Sequence, residues 1–79
     1  MQQRSVPIQV QCVDGRPSRL VRGDTTYRVR SVIECWVLQS RWWTRDGPER
    51  RVYYRVDTDR GVVDVYRSNA QWTLARHLD

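Results

Sequence analysis

Few side chains in this chain are placed to do covalent chemistry. A nucleophile needs a base, and the single histidine, His77, stands two residues from the C-terminus, where a solvent-facing ring is expected. Cys35 adjoins Glu34, but neighbours in a strand point to opposite faces and make no dyad. Cys12 and Cys35 have no metal-ligand spacing. They are expected to be reduced, half-buried thiols of a cytoplasmic protein. Asp14, Asp24, Asp46, Asp57 and Asp59 stand at turn signals, where Asp bonds to local backbone. Asp57 and Asp59 are the nearest approach to a metal pair and are read as turn residues. The 4 glycines are single and build no phosphate loop. The expectation is a domain that is not an enzyme and holds no metal or cofactor.

Binding chemistry is better represented. All 14 basic residues are Arg, against 9 carboxylates, for a net charge of +5. That sign favours acidic partners such as nucleic acid, an acidic protein face or anionic lipid. Arginine makes flat bidentate contacts to phosphate and stacks on aromatic rings, although a GC-rich genome also accounts for an all-arginine chain. With 4 Trp, 4 Tyr and no Phe, these rings must supply most of the core bulk and leave some aromatic surface outside. Bases of a single strand stack on such rings while arginine tracks the phosphates.

The elements that must position these side chains are short strands. At 79 residues the chain is one domain with a small core. Residues 1–5 read as a frayed arm and 6–79 as the domain. There is no apolar run in residues 1–11 for a signal peptide and no stretch near the roughly 20 apolar residues that span a membrane. Turn signals divide the rest into strands at 6–13, 18–22, 26–43, 50–57, 62–67 and 72–77. Asp14-Gly15-Arg16-Pro17, Gly23-Asp24, Asp46-Gly47-Pro48, Thr58-Asp59-Arg60-Gly61 and Ser68-Asn69-Ala70-Gln71 separate them. In 6–13, Val6, Ile8, Val10 and Cys12 share one side. In the long run, Tyr27 and Val29 share one parity and Val32, Glu34, Trp36 and Leu38 the other, which suggests a β-bulge near Ser31. A short helix over 31–39 is the alternative, because Val32, Cys35, Trp36 and Gln39 partly fit a helical period. The fold class is all-β: about six antiparallel strands in meander order, as a strongly curved sheet or a small SH3-like barrel.

Register can be argued from both faces at once. Setting Val56 opposite Val63 puts Tyr54 opposite Val65 on the apolar side, Arg55 opposite Asp64 and Tyr53 opposite Tyr66 on the other. Such pairs are worth about 0.2–1 kcal/mol each. Setting Trp42 opposite Val52 puts Leu38 opposite Val56, Trp43 opposite Arg51 and Arg41 opposite Tyr53. The expected core then includes Trp36, Tyr54, Val56, Val65, Trp72 and Leu74. The expected outer face carries Trp43, Arg41, Arg51, Tyr53, Arg55 and Tyr66. This face is the candidate site for nucleic acid or a protein partner, since Trp, Tyr and Arg are also favoured interface anchors. A plain structural account stands beside it, in which the tyrosines prop their own sheet and the arginines solvate it. An exposed strand edge also offers a route to a homodimer.

Gly15-Arg16-Pro17, Tyr27-Arg28-Val29, Trp36, Trp42-Trp43, Tyr53-Tyr54-Arg55-Val56-Asp57-Thr58 and the final Trp72-Thr73-Leu74-Ala75-Arg76 together resemble the DUF6504 family of small bacterial proteins. The resemblance covers nearly the whole chain. Members of that family stand alone, or lie beside or at the end of Y-family-polymerase-like proteins of inducible mutagenesis. The resemblance therefore implies an accessory role near DNA repair or translesion synthesis, on nucleic acid or docked on a polymerase-related protein, and it implies no catalytic residue. Val62-Val63-Asp64-Val65-Tyr66 is less rich in Gly and Glu than the family pattern after the turn, which leaves the turn length open.

Overall fold

A computed structural model describes residues 6–44 and 47–78, with the backbone alone for 40–44 and 48. The expectations for the arm at 1–5 and for the side chains of Arg41, Trp42 and Trp43 lie outside what is described. Six antiparallel strands run in meander order and close into a barrel. They are β1 (Val6–Val13), β2 (Arg16–Arg22), β3 (Thr25–Thr44), β4 (Gly47–Thr58), β5 (Gly61–Ser68) and β6 (Gln71–His77). Residues 31–39 are bulged strand, and the helical alternative falls away. No helix is long and apolar enough to cross a membrane among the described residues.

Two-residue loops with both φ angles positive join β1 to β2 and β5 to β6. Asp14 and Gly15 have φ of 53° and 78°, and Asn69 and Ala70 have 51° and 66°. This geometry matches the right-handed twist of the flanking strands. Arg16 starts β2 and buried Pro17 follows it, so both belong to the strand and not to the turn before it. Similarly, Gly47 and Pro48 are the first residues of β4, opposite Thr44 and Trp43.

Closure depends on strands that change partners. β1 pairs with β6 through Val6–Ile8 and with β2 from Gln9 onward. β3 pairs with β2 through Thr25–Arg28 and with β4 from Val29. At that joint the β4–β5 turn takes the place of a strand: Asp59 bonds to both main-chain groups of Arg28. Thr58, buried at the start of the turn, donates to the Gly61 carbonyl at 2.6 Å and accepts from the Arg60 N–H at 3.0 Å. Beyond Ser31, β3 has β4 as its one partner among the described residues, and its other edge is open. The barrel interior holds Ile8, Leu20, Tyr27, Val56, Val63, Val65 and Leu74. Val10, Val29, Val32, Tyr54 and Trp72 pack against them, partly buried.

The β4–β5 register is the expected one in all four pairs: Val56 with Val63, Tyr54 with Val65, Arg55 with Asp64, Tyr53 with Tyr66. The β3–β4 register differs. Val37, not Trp42, faces Val52; Val32, not Leu38, faces Val56; Leu38, not Trp43, faces Arg51; and Trp36, not Arg41, faces Tyr53. The hairpin turns earlier than Gly47, and β3 carries extra residues at Arg30, at Ile33 and between Gln39 and Trp43. Each bulge reverses which side chains face in. The extra residue at Arg30 confirms the bulge expected near Ser31. The one at Ile33 sends Glu34 and Trp36 outward, so Trp36 is half-buried on the outer face and is not core. Both cysteines are free and exposed, not half-buried; Cys35 lies on the stretch of β3 that has β4 as its one strand partner among the described residues.

Candidate binding face

Trp36 on β3, Tyr53 on β4 and Tyr66 on β5 stand in one row across the outer surface, because Trp36 pairs with Tyr53 and Tyr53 with Tyr66. The Trp36 and Tyr53 rings are stacked, with centroids 5.2 Å apart and planes 4° from parallel. Tyr53 and Tyr66 are tilted by 40° at 5.1 Å. These separations are those of favourable aromatic pairs.

An arginine covers each end of the row. The Arg51 guanidinium lies 4.6 Å from the centre of the Tyr66 ring, and that of Arg55 lies 5.4 Å from Trp36. Arg51 also donates to the Tyr53 hydroxyl at 3.4 Å and pairs with Glu49. The hydrogen bonds to Tyr53 and Glu49 push its already high pKa further up. A recess lined by Leu38, Gln39, Glu49, Arg51 and Tyr53 opens beside the row, with a volume of about 370 Å³.

Arg55 is held by a second partner. Its Nε and Nη2 donate to the two carboxylate oxygens of Asp64 at 2.9 and 3.1 Å. Arg76 Nε donates to the same carboxylate at 3.1 Å. Asp64 points to the outer face yet is only 2 % exposed, because the two arginines roof it. Arg76 reaches it because Ala75 is an extra residue in β6: Leu74 faces Val65 inside, while Arg76 faces Asp64 outside. Burial pushes the Asp64 pKa up, but the hydrogen bonds from Arg55 and Arg76 outweigh it and hold the carboxyl below the ordinary carboxylate range. Arg55 is raised in turn by its bonds to Asp64.

Of the residues expected on this face, Arg51, Tyr53, Arg55 and Tyr66 are brought together, while the side chains of Arg41 and Trp43 are not described. Trp36 and Arg76 join the face unforeseen. A signal for Trp36 was present: its expected inward parity also put Glu34 inside, and an unpaired carboxylate does not belong in a core. His77 is exposed as expected, with its Nε2 3.3 Å from the hydroxyl of the buried Tyr27. Asp59 lies in the β4–β5 turn, but its carboxylate bonds to Arg28 across the seam and not to local backbone, and Asp57 is a strand residue of β4 between Ser31 and Val62, not a turn residue. Among the described residues no three His, Cys, Asp or Glu side chains cluster as metal ligands.

The arrangement offers flat aromatic surface, fixed cations and a neighbouring recess, which is the equipment for stacking on planar groups next to negative charge. No family model, no curated protein and no solved structure matches the chain.

Proposed function

We propose that this barrel is a non-catalytic accessory that binds single-stranded nucleic acid without sequence preference. The carrying observation is the Trp36–Tyr53–Tyr66 row with Arg51 and Arg55 over its ends. A base has a π-face whatever its sequence, so a stacking row is sequence-tolerant, and each base stacked is worth about 1–3 kcal/mol. The net charge of +5 supplies attraction for phosphates. The resemblance to the DUF6504 family supports a setting of DNA repair or translesion synthesis in a bacterial cytoplasm. The test is titration of a labelled oligonucleotide at several salt concentrations. If about four phosphates are neutralised, log affinity falls against log salt with a slope of roughly −3. Absence of binding at low salt refutes the reading.

A second reading has its own observation. The open edge of β3 beyond Ser31 exposes Ile33, Val37 and Leu38 at 52, 46 and 52 %. An unpaired main-chain edge with apolar side chains accepts an added strand. Under this reading the chain is an interaction module docking on a polymerase-related protein, or on a second copy of itself. Binding of one protein partner with little salt dependence, and no binding of oligonucleotide, favours it.

A further inference from the structure

Away from the aromatic row, the end of the β1–β2 hairpin meets β3 where β3 leaves β2. A cleft there is lined by Arg16, Pro17 and Ser18 from β2, by Arg30 and Ser31 from β3, and by apolar Val13, Val29 and Val32. Two bulges shape it. Ser18 is the extra residue of β2, between the pairs Gln11–Arg19 and Cys12–Pro17. Arg30 is the extra residue of β3, between Val29 and Ser31. Bulges re-aim side chains, and here they bring Arg16, Arg30 and Ser31 to one opening, while the Ser18 hydroxyl donates to the Gln11 carbonyl at 3.0 Å.

The surrounding charge is unusual for a sheet. Arg19 and Arg28 stand directly opposite each other on β2 and β3, both exposed, and like charges in that position destabilise a sheet. No ion pair engages Arg16, Arg19, Arg28 or Arg30 among the described residues. No carboxylate lines the cleft among the described residues. Asp57, the cross-strand partner of Ser31, and Asp14, in the adjoining turn, stand next to it without pairing to its arginines.

Two arginines beside a serine hydroxyl, with no lining carboxylate among the described residues, suit a tetrahedral oxyanion, since the arginine fork matches phosphate oxygens. We propose that this cleft is a phosphate-binding site, with Arg16 and Arg30 as the ligating cations and Ser31 as the hydroxyl donor; the Ser18 hydroxyl is committed to the Gln11 carbonyl and holds the wall of the cleft. The phosphate comes from a nucleic-acid backbone or from a free phosphate compound. The first source rests on the proposed function: Arg30 and Trp36 lie six residues apart on β3, about 20 Å at strand rise, so one strand can engage both. The second source does not rest on it.

The test pairs the intact chain with the double variant Arg16→Gln, Arg30→Gln. Both positions are exposed, so the fold should tolerate the exchange, and a thermal melt checks it. Amide resonances of Ser18 and Ser31 are followed during titration with pyrophosphate. The salt dependence of oligonucleotide binding is measured in parallel, with Trp36→Ala as a control that lowers affinity and keeps the slope. The expected result is a saturable shift at Ser18 and Ser31 that the double variant loses, and a salt slope shallower by roughly 0.7, one phosphate on a single strand. A slope change alone assigns the site to the backbone phosphate. A pyrophosphate shift without any oligonucleotide binding keeps the site, assigns it to a free phosphate compound and refutes the nucleic-acid reading. Amides unmoved by pyrophosphate together with an unchanged slope overturn the site, as do shifts that persist in the double variant.

Discussion

Asp59 completes the barrel by serving as a strand partner for Arg28. Its Oδ1 accepts the Arg28 N–H at 2.9 Å, and its own N–H donates to the Arg28 carbonyl at 3.0 Å. Arg28 is the last β3 residue paired with β2, and Val29 the first paired with β4. Arg60, next in the turn, adds a bond from Nε to the Thr26 carbonyl at 3.0 Å. Without Asp59, the Arg28 N–H loses its side-chain acceptor at the seam. Asp59→Ala should therefore cost about 1 kcal/mol, the net worth of one hydrogen bond. Asp59→Asn keeps an oxygen there and should cost less. Urea unfolding of the three proteins measures the difference. Equal stability of the alanine variant and the intact chain would show that the seam does not depend on this side chain.

The β5–β6 turn carries a correctable strain. Ser68 pairs with Gln71, leaving Asn69 and Ala70 as a two-residue loop with both φ angles positive. That turn favours Asn followed by Gly, and Asp14-Gly15 already satisfies it in the β1–β2 hairpin. Alanine in the left-handed region costs about 1–2 kcal/mol, while glycine loses about 0.5–1 kcal/mol more chain entropy. Ala70→Gly should stabilise by about 0.5–1 kcal/mol, raising Tm by about 2–8 °C in a domain this size. The reciprocal change, Gly15→Ala, meets nothing within 4 Å, so its loss reports backbone strain alone. Thermal melts of both variants check the pair, and a lowered Tm for Ala70→Gly would contradict the turn geometry.

Asp64 links stability to pH. Its carboxyl titrates below the ordinary range because Arg55 and Arg76 outweigh its burial. A carboxylate depressed in the folded state stabilises at every pH above its unfolded value, near 3.9, and the contribution disappears as pH falls through the folded value. Asp64→Asn should cost about 2 kcal/mol at neutral pH, the scale of hydrogen bonds to a charged group. The gap between variant and intact chain should narrow below about pH 4. Denaturant melts from pH 7 to pH 2.5 read this out. A gap of constant size across that range would show that the charge of Asp64 is not what the two arginines recognise.

How far the sequence can be read follows from which constraints act twice. In β4 and β5 the pair Val56–Val63 is demanded by the apolar face, and Arg55–Asp64 with Tyr53–Tyr66 by the outer face, so one register meets both. Alternation in β3 constrained one face only. A period of two admits many slips, and placing the hairpin turn around Gly47 chose the wrong one. The extra residues at Ile33 and between Gln39 and Trp43 leave no compositional mark, because nothing about Ile33 differs from an ordinary strand residue. Arg51, Tyr53, Arg55 and Tyr66 were legible as one face because they lie on the two strands whose register was overdetermined. Trp36 lay beyond the first unseen bulge. The roof over Asp64 was half legible: Arg55 is a direct cross-strand partner, whereas Arg76 arrives through the extra residue at Ala75.

Trp36 and Trp72 separate the outer face from the core. Trp72 packs against the core and meets Tyr54 at 5.5 Å. Its exposed side is covered by Arg67, whose guanidinium lies 5.8 Å from the ring centre. Trp72→Ala removes a large side chain from the packed interior and should cost about 2–4 kcal/mol, toward the lower part of the range for buried aromatics because the ring is only partly enclosed. Trp36 touches the stacked Tyr53 ring and Arg55 on the outside. Trp36→Ala loses an aromatic pair worth about 0.5–1.5 kcal/mol and a cation–π contact of about 0.5–1 kcal/mol, so it should cost about 1–2.5 kcal/mol. Oligonucleotide affinity should respond in the opposite order. Trp36→Ala should weaken it by roughly ten-fold or more, the loss of one stacked base, while folded Trp72→Ala should bind nearly as the intact chain. Thermal melts beside binding titrations, both at a temperature where the two variants are folded, provide the comparison. A larger stability loss for Trp36 than for Trp72 would mean that β3 runs with its side chains reversed, and unchanged affinity in Trp36→Ala would remove the aromatic row from the binding surface.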